Sequence, residues 1–393
     1  MGLQVILGPL FPQIGNNANL MLRVISTFGK NTSVQLHSIS ERAEMENGTG
    51  SDSLPTEIFG FPVMWHTKKP RSIAQFINRI IARVVDPKGF SDYMAVKQLT
   101  AGDWRKSISA SDAVITTMEP FPAADAAARL TCKKKILYLM DPPASVSGGI
   151  STTYRNRRLS KILATHDLIL TTLFIKRALA SNGFKQFESK LIPVGFPMIV
   201  DRHLVQQRER DDRIHLLFCG WLYSDIRSPK YFLDILSRLD ERFVVTFMGR
   251  ECESLTERFD VQTKAELITL PQQPYETALQ AMADADVLIN IGNSVPVHMP
   301  SKTLEYINTG KPFVNFYKMD DCPTLYYTKR YPLCLNMSEK DTDLDAAAQR
   351  FIDFCVSSKG KTVDRTFIET EYADCTPEYI AQKILDALGE TNG

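Results

Sequence analysis

Lys302 and Glu305 lie three residues apart, directly behind the pair Pro300-Ser301, and Arg227 stands in a glycine-led loop earlier in the chain. A lysine and a carboxylate at i and i+3 share one face of a helix. Proline and serine are common helix openers, so Ser301 is expected either to cap that helix or to stand in its first turn. Unpaired N–H groups and the dipole at a helix start attract anions, and Lys302 adds a full positive charge there. Phosphates suit the amides and the lysine, and a carboxylate one turn further on accepts from two ribose hydroxyls. The group is therefore suited to a nucleoside diphosphate. The same spacing also serves an ordinary βαβ unit carrying a surface Lys–Glu pair, because helix starts of this kind are common.

The flanking residues say how such a group would be positioned. The apolar run 287–291 has the composition of a strand buried on both faces. Gly292 and Asn293 break it, a polar loop containing His298 follows, and the helix runs to Gly310 before Pro312 leads into a second apolar run, 313–316. A strand–loop–helix–strand unit places the helix start at the carboxyl edge of a parallel sheet. Arg227 is set similarly, after the apolar run 214–219 and Gly220 and ahead of a helix predicted at 231–239. Its planar fork suits two phosphate oxygens, which ranks it above the neighbouring Lys230.

Earlier in the chain, Gly15, Asn16 and Asn17 form a turn between a predicted strand at 3–10 and a predicted helix at 18–28. They either present amides at a sheet edge or make a plain turn, for which Gly and Asn are usual. The apolar runs 112–117 and 135–140 end near Glu119 and Asp141, just past strand ends where open α/β sheets carry their sites. Asp141 precedes Pro-Pro, so it also fits a turn. Runs at 34–38, 167–172 and 190–194, with a helix at 174–182, complete an alternation expected of an α/β, doubly wound parallel sheet.

The segment PSKTLEYINTGKP resembles the donor-site signature of family-4-type retaining glycosyltransferases of the GT-B fold. The resemblance is carried by the C-terminal half. It implies two Rossmann-like domains facing across a cleft: an acceptor-side domain at 1–196, a linker at 197–213, a donor-side domain at 214–375, and a C-terminal helix at 376–393 crossing back. It implies a cytoplasmic, metal-independent hexosyltransferase moving sugar with retention from a UDP- or GDP-sugar to a saccharide or lipid-linked saccharide in polysaccharide biosynthesis. The nucleotide sugar is then a co-substrate, and no cofactor is implied. Donor contacts would come from Gly220, Arg227, Gly292, Asn293, His298, Pro300, Ser301, Lys302 and Glu305, with Gly15, Asn16 and Asn17 approaching from the first domain. Arg227 and Lys302 would stabilise the leaving diphosphate, and Asp141 and Glu119 would face the acceptor. One position departs from the family pattern: a second Glu eight residues before Glu305 is replaced by Val297. That keeps two alternatives in play. Val297 counts for a non-catalytic partner subunit, and against a GT-B sugar-nucleotide epimerase, which needs paired carboxylates.

Composition narrows the field. The chain has 393 residues, 44% apolar and 23% charged, with a formal net charge of +1. These are values of a globular protein, and the charge balance argues against a dedicated nucleic-acid binder. No apolar run approaches the length of a membrane span. MGLQVILGPLF has no basic residues ahead of its apolar run and is expected to be a first strand, not a leader; Gly2 lacks the downstream Ser or Thr of an acylation site. The seven scattered cysteines and six dispersed histidines predict reduced thiols and no metal cluster. Asp284-Ala-Asp286 has the form of a metal-binding D-x-D, but it falls at the amino end of a strand, away from the predicted site, so no metal is expected there. A basic stretch, Lys68, Lys69, Arg71, Arg79 and Arg83, and a second cluster, Arg155, Arg157, Arg158 and Lys161, could seat the protein peripherally on an anionic membrane or could be core helices with solvated charged faces.

Overall fold

Runs of Val, Ile, Leu and Phe too short for a helix alternate with amphipathic stretches along the chain, and each run becomes a parallel strand. The computed structural model describes residues 1–8, 16–29, 31–40, 56–62, 96, 100, 104–119, 121–143, 152–201, 206–209, 211–224 and 226–389. The chain divides into two units, Met1–Pro197 with Pro377–Gly393, and Met198–Thr376.

The first unit is built on β1 (Gly2–Leu7), β2 (Ser33–Ser40), β3 (Thr56–Pro62), β4 (Ala113–Thr117), β5 (Lys134–Leu139), β6 (Leu168–Thr171) and β7 (Leu191–Pro193). Its sheet has the order β3-β2-β1-β4-β5-β6-β7, with every pairing parallel. The described helices are α1 (Asn16–Ile25), α2 (Trp104–Ala110), α3 (Phe121–Arg129), α4 (Thr152–Thr165), α5 (Leu173–Leu179) and the C-terminal α13 (Pro377–Leu388), which packs on α1. β4 is buried along its whole length, as expected of a central strand covered on both faces. β3 extends the sheet where the sequence pattern predicts none. The first strand ends at Leu7, not at residue 10, and α1 starts at Asn16, two residues earlier than its apolar periodicity suggests.

The second unit contains β8 (Ile214–Cys219), β9 (Phe243–Met248), β10 (Glu266–Leu270), β11 (Val287–Ile291), β12 (Phe313–Tyr317) and β13 (Cys334–Ser338). They form an all-parallel sheet in the order β10-β9-β8-β11-β12-β13. Around it lie α6 (Lys230–Leu236), α7 (Cys252–Arg258), α8 (Tyr275–Asp284), α9 (Lys302–Thr309), α10 (Pro323–Thr328), α11 (Leu344–Ser358) and α12 (Arg365–Glu371). Phe232, Phe247, Phe316 and Phe351 interlock in the core, with ring centroids 5.1–6.2 Å apart.

A line of asparagines runs across three strands of this sheet. Asn290 Nδ2 donates to Asn315 Oδ1 (2.7 Å), and Asn315 Nδ2 donates to Asn336 Oδ1 (2.8 Å). The three asparagines are direct partners on β11, β12 and β13. A one-residue slip would turn each amide to the opposite face and leave it unpaired, so the ladder fixes register.

The stretch between the sheets is fastened to the second unit. The amides of Met198 and Ile199 both donate to Cys375 O at 3.1 Å, and Val200 N donates to Asn308 Oδ1 at 3.0 Å. Gln207 N and Arg208 N donate to Asp284 Oδ1 at 2.7 and 2.9 Å. Asp286 accepts from Arg208 Nη2 (3.2 Å) and from His215 N (2.9 Å). The carboxylates of the D-x-D thus anchor this segment and the start of β8.

Candidate functional site

The strand order of the second unit reverses between β8 and β11, and in open α/β sheets the crevice outside the carboxyl ends at such a reversal is where ligands bind. Gly220 follows β8 and Gly292 follows β11 at that point. Close packing explains both glycines' neighbourhood. A Cβ on Gly249, at the end of β9 with φ +141°, would sit 1.8 Å from Gly220 O, and one on Gly292 would sit 2.9 Å from Phe316 O. The strand ends therefore approach more closely than side chains permit.

The loop from Gly220 to α6 carries Arg227. Tyr223 N donates to Arg227 O at 3.2 Å, and Ser294 N donates to Ile226 O at 2.8 Å, which ties this loop to the one after β11. The Arg227 guanidinium donates through Nε to Asn293 Oδ1 (2.9 Å) and through Nη1 to Trp221 O (3.1 Å). Asn293 Nδ2 in turn donates to His298 Nδ1 (2.8 Å) and His298 O (3.1 Å). Burial lowers the pKa of Arg227 from the ordinary arginine value. Trp221 stacks on Tyr223 with centroids 4.6 Å apart, and the Arg250 guanidinium lies 4.9 Å from the Trp221 ring. Lys230 is different: it is exposed and paired with Asp234 at 2.9 Å, so Arg227 is the cation held at the sheet edge.

Across the crevice, α9 begins at Lys302. Ser301 has helical dihedrals and makes no side-chain capping bond, and the preceding Pro300 is buried. The amides of Thr303 and Leu304 turn back instead onto Pro300 O and Ser301 O, at 3.1 and 3.2 Å, so what this end offers an anion is the helix dipole and the charge of Lys302. Glu305 is 6% exposed, so its pair with Lys302 is not a surface ion pair. Lys302 Nζ donates to Glu305 Oε2. Burial pulls the Lys302 pKa down, and Glu305, with Cys219 and Tyr275, pushes it up, leaving it above the ordinary lysine value. The Thr303 hydroxyl is buried without a hydrogen-bond partner among the described residues. Tyr306, which sequence reasoning missed, joins α9 to β8: its hydroxyl accepts from Cys219 N (3.0 Å) and donates to Cys219 O (3.2 Å). The signal available for it was an aromatic one position after the carboxylate on a polar helix. Val297, where the family pattern has Glu, holds a left-handed backbone with φ 78°, strained for a β-branched residue.

In the first unit the order reverses between β1 and β4. Asn17 Nδ2 donates to Asp141 Oδ2 at 2.8 Å, so these two sequence candidates meet at the carboxyl edge. Glu119 lies just past β4, exposed, with its carbonyl accepting from Thr117 Oγ1 at 2.7 Å. Gly15 and the side chain of Asn16 lie outside the described residues, as do Lys68, Lys69, Arg71, Arg79, Arg83 and the side chain of Arg155. Arg157 and Lys161 are exposed on α4. Arg158 is not part of a solvated basic face: it is buried, pairs with Asp125 at 2.7 Å and lies 4.6 Å from the Phe121 ring. Among the described residues no helix is long and apolar enough to cross a membrane.

No family model matches the sequence, and no curated protein matches it. Solved structures do match along the whole chain. The apo lipopolysaccharide outer core galactosyltransferase WaaB is similar with a TM-score of 0.60 at 14% identity, over 99% of both chains. Anabaena Alr3699/HepE, solved with UDP and glucose, is similar with a TM-score of 0.61 at 11% identity, over 98% of this chain and 99% of that one. An E. coli structure titled trehalose-6-phosphate bound with UDP-2-fluoro glucose gives a TM-score of 0.61 at 9% identity, over 100% of each chain. The fold is GT-B. At these identities the likeness is one of fold, and the assignment of chemistry rests on the residues described above.

Proposed function

We propose that the protein is a glycosyltransferase that binds a nucleoside-diphosphate sugar at the carboxyl edge of the second unit's sheet and transfers its sugar to a saccharide or lipid-linked saccharide. The observation that carries this is the gathering of Arg227, Lys302 and Glu305 at the β8/β11 reversal, with Lys302 and Glu305 on the first turn of α9. Two cations and a helix start answer a diphosphate, and the buried Glu305 answers a ribose. Structural neighbours crystallised with UDP or a UDP-sugar support a uridine donor.

The bond between the anomeric carbon and the diphosphate oxygen breaks with its electron pair passing to the phosphate. Arg227 and Lys302 stabilise that growing charge, the role of preorganised oxyanion donors. The acceptor oxygen bonds to the same face of an oxocarbenium-like carbon, and its proton passes to the departing phosphate. Configuration is thereby retained without a protein nucleophile. Arg227 and Lys302 supply the positive charge, so turnover is expected to be insensitive to chelators. Asn17, Asp141 and Glu119 form the acceptor side. Polysaccharide assembly at the cytoplasmic face of a membrane is the setting that fits such an acceptor.

The test is thermal stabilisation by UDP, GDP, ADP, CMP and their sugar conjugates, with and without EDTA. A selective ligand at a hundredfold excess over its Kd adds about 2.7 kcal/mol of stability. Stabilisation by one nucleoside diphosphate, unchanged by EDTA, is expected; silence across the panel would overturn the proposal. A non-catalytic partner subunit is the second reading, favoured by Val297 in place of the family's Glu. Hydrolysis of the stabilising sugar nucleotide in the absence of acceptor separates the two, because a partner subunit would bind without turnover.

A further inference from the structure

Lys318 and Glu339 follow β12 and β13 at the same carboxyl edge, and the site described so far uses neither. Lys318 Nζ donates to both oxygens of Glu339, at 2.7 and 2.6 Å, and also reaches Ser228 O at 3.3 Å. The side chains are only 15% and 14% exposed. Glu339 is held further by its own amide, which donates to Tyr317 O at 2.9 Å. Ser228 is the residue after Arg227. We propose that Lys318 and Glu339 are positioning residues, a buried clamp that fixes the Arg227 loop in the geometry needed for the diphosphate.

The argument rests on where the third hydrogen bond goes. An ammonium has three N–H donors, and here two take the carboxylate while one takes a loop carbonyl. Desolvating two charges costs roughly what their attraction returns, so such a pair is a poor stabiliser but a good means of fixing one arrangement. Burial raises the Glu339 pKa and Lys318 opposes the rise. The rest of the Arg227 loop is secured on its other flank, through Tyr223 N to Arg227 O and Ser294 N to Ile226 O. On the flank that leads into α6, Ser228 Oγ accepts from Lys230 N at 3.3 Å, and Lys318 is the contact that joins this flank to the β12 and β13 ends; without it the loop loses that link and the guanidinium held by Asn293 and Trp221 is freer to move.

This inference rests on the reading of the edge as a diphosphate site, so its test has an arm that needs no ligand. Hydrogen exchange is measured on the free protein and on Lys318→Met. Faster exchange of the amides at 221–224 and 226–228, with the strands β8 and β11 unchanged, is expected. Unchanged exchange in that loop would overturn the proposal. The second arm is affinity for the nucleoside diphosphate that stabilises the wild type, in a double-mutant cycle with Arg227→Ala. Lys318→Met should weaken binding roughly tenfold on its own and add almost nothing once Arg227 is gone, as coupled residues do. An equal loss in both backgrounds would mean that Lys318 acts by itself, and would overturn the proposal. Lys318→Arg should restore most of the affinity. If Lys318→Met does not fold, Glu339→Gln, which keeps the volume, carries both arms. A wild type that binds no nucleoside diphosphate would sink the proposed function and leave the exchange arm to decide the clamp.

Discussion

The two sheets share a topology and differ in the charge they bring to its functional edge. At the β1/β4 reversal the described groups are an Asn17–Asp141 hydrogen bond and the exposed Glu119. At the β8/β11 reversal they are Arg227, the Lys302–Glu305 pair and, further along the edge, the Lys318–Glu339 pair, each partly or wholly buried. One architecture thus offers an edge whose named charges are carboxylates alone and an edge where three cations meet two carboxylates. The first suits hydroxyl recognition, and the second suits an anion. The contrast extends to buried titratable groups. The first unit buries His37 and His166, whose pKa values burial lowers to about 4. The second unit partly buries Glu339 and Asp374, whose pKa values that burial raises.

The largest effect that would sharpen this comparison is the response to acid. A histidine whose folded pKa lies below its unfolded value stabilises fully above about pH 6.5, and that contribution is lost as pH falls toward about 4. Each histidine accounts for roughly 3 kcal/mol over that window. Glu339 and Asp374 act in the opposite direction, because the folded state takes up their protons first. Hydrogen exchange followed from pH 7 to pH 4.5 should therefore show the first unit opening before the second. His166→Gln should narrow the gap, and simultaneous opening of both units would break the comparison.

Next in size, Lys302→Ala or Arg227→Ala should lower turnover about 10²–10³-fold, as the loss of a preorganised oxyanion donor does. Steady-state transfer assays with the donor identified by thermal shift would measure it. Near-wild-type turnover would remove the cationic edge from the chemistry. Glu305→Ala should weaken nucleoside diphosphate binding about tenfold, the loss of hydrogen bonds to a charged group; calorimetry showing equal affinity for UDP and GDP in mutant and wild type would contradict the ribose role. The smallest effect is expected on the other edge. Asp141→Asn should raise the KM for acceptor a few-fold, roughly the worth of one hydrogen bond, and leave nucleotide affinity alone. A change in nucleotide affinity instead would show that the division of labour between the edges is wrong.

Much of the second unit was legible because its signals are local. The run 287–291, the break at Gly292-Asn293, and Pro300-Ser301 ahead of Lys302 and Glu305 fix strand, turn and helix within a few residues of one another. The burial of Glu305 was not legible, since a helical Lys–Glu pair reads the same on a surface. Nor was the partner of Arg227, because Asn293 lies 66 residues away in sequence. Lys318 and Ser228 are 90 residues apart, and nothing near either one in sequence marks their contact. Asn290 and Asn315 were hidden inside apolar runs, where an isolated amide looks like noise until parallel pairing brings it opposite another. The basic cluster on α4 misled in one member, because helix periodicity gives Arg158 a face but not the Asp125 that draws it inward.

By itself the sequence determined the alternation of strands and helices, the glycines at strand ends, and the residue types capable of meeting a diphosphate. These follow from periodicity, turn chemistry and charge, all of which act over a few residues. Only the tertiary structure decided which strands neighbour one another, and with that where the order reverses, which cations share an edge and which carboxylates are buried. Those outcomes depend on pairing between segments scores of residues apart, where the free energy of burial and of satisfying polar groups is shared across the whole sheet.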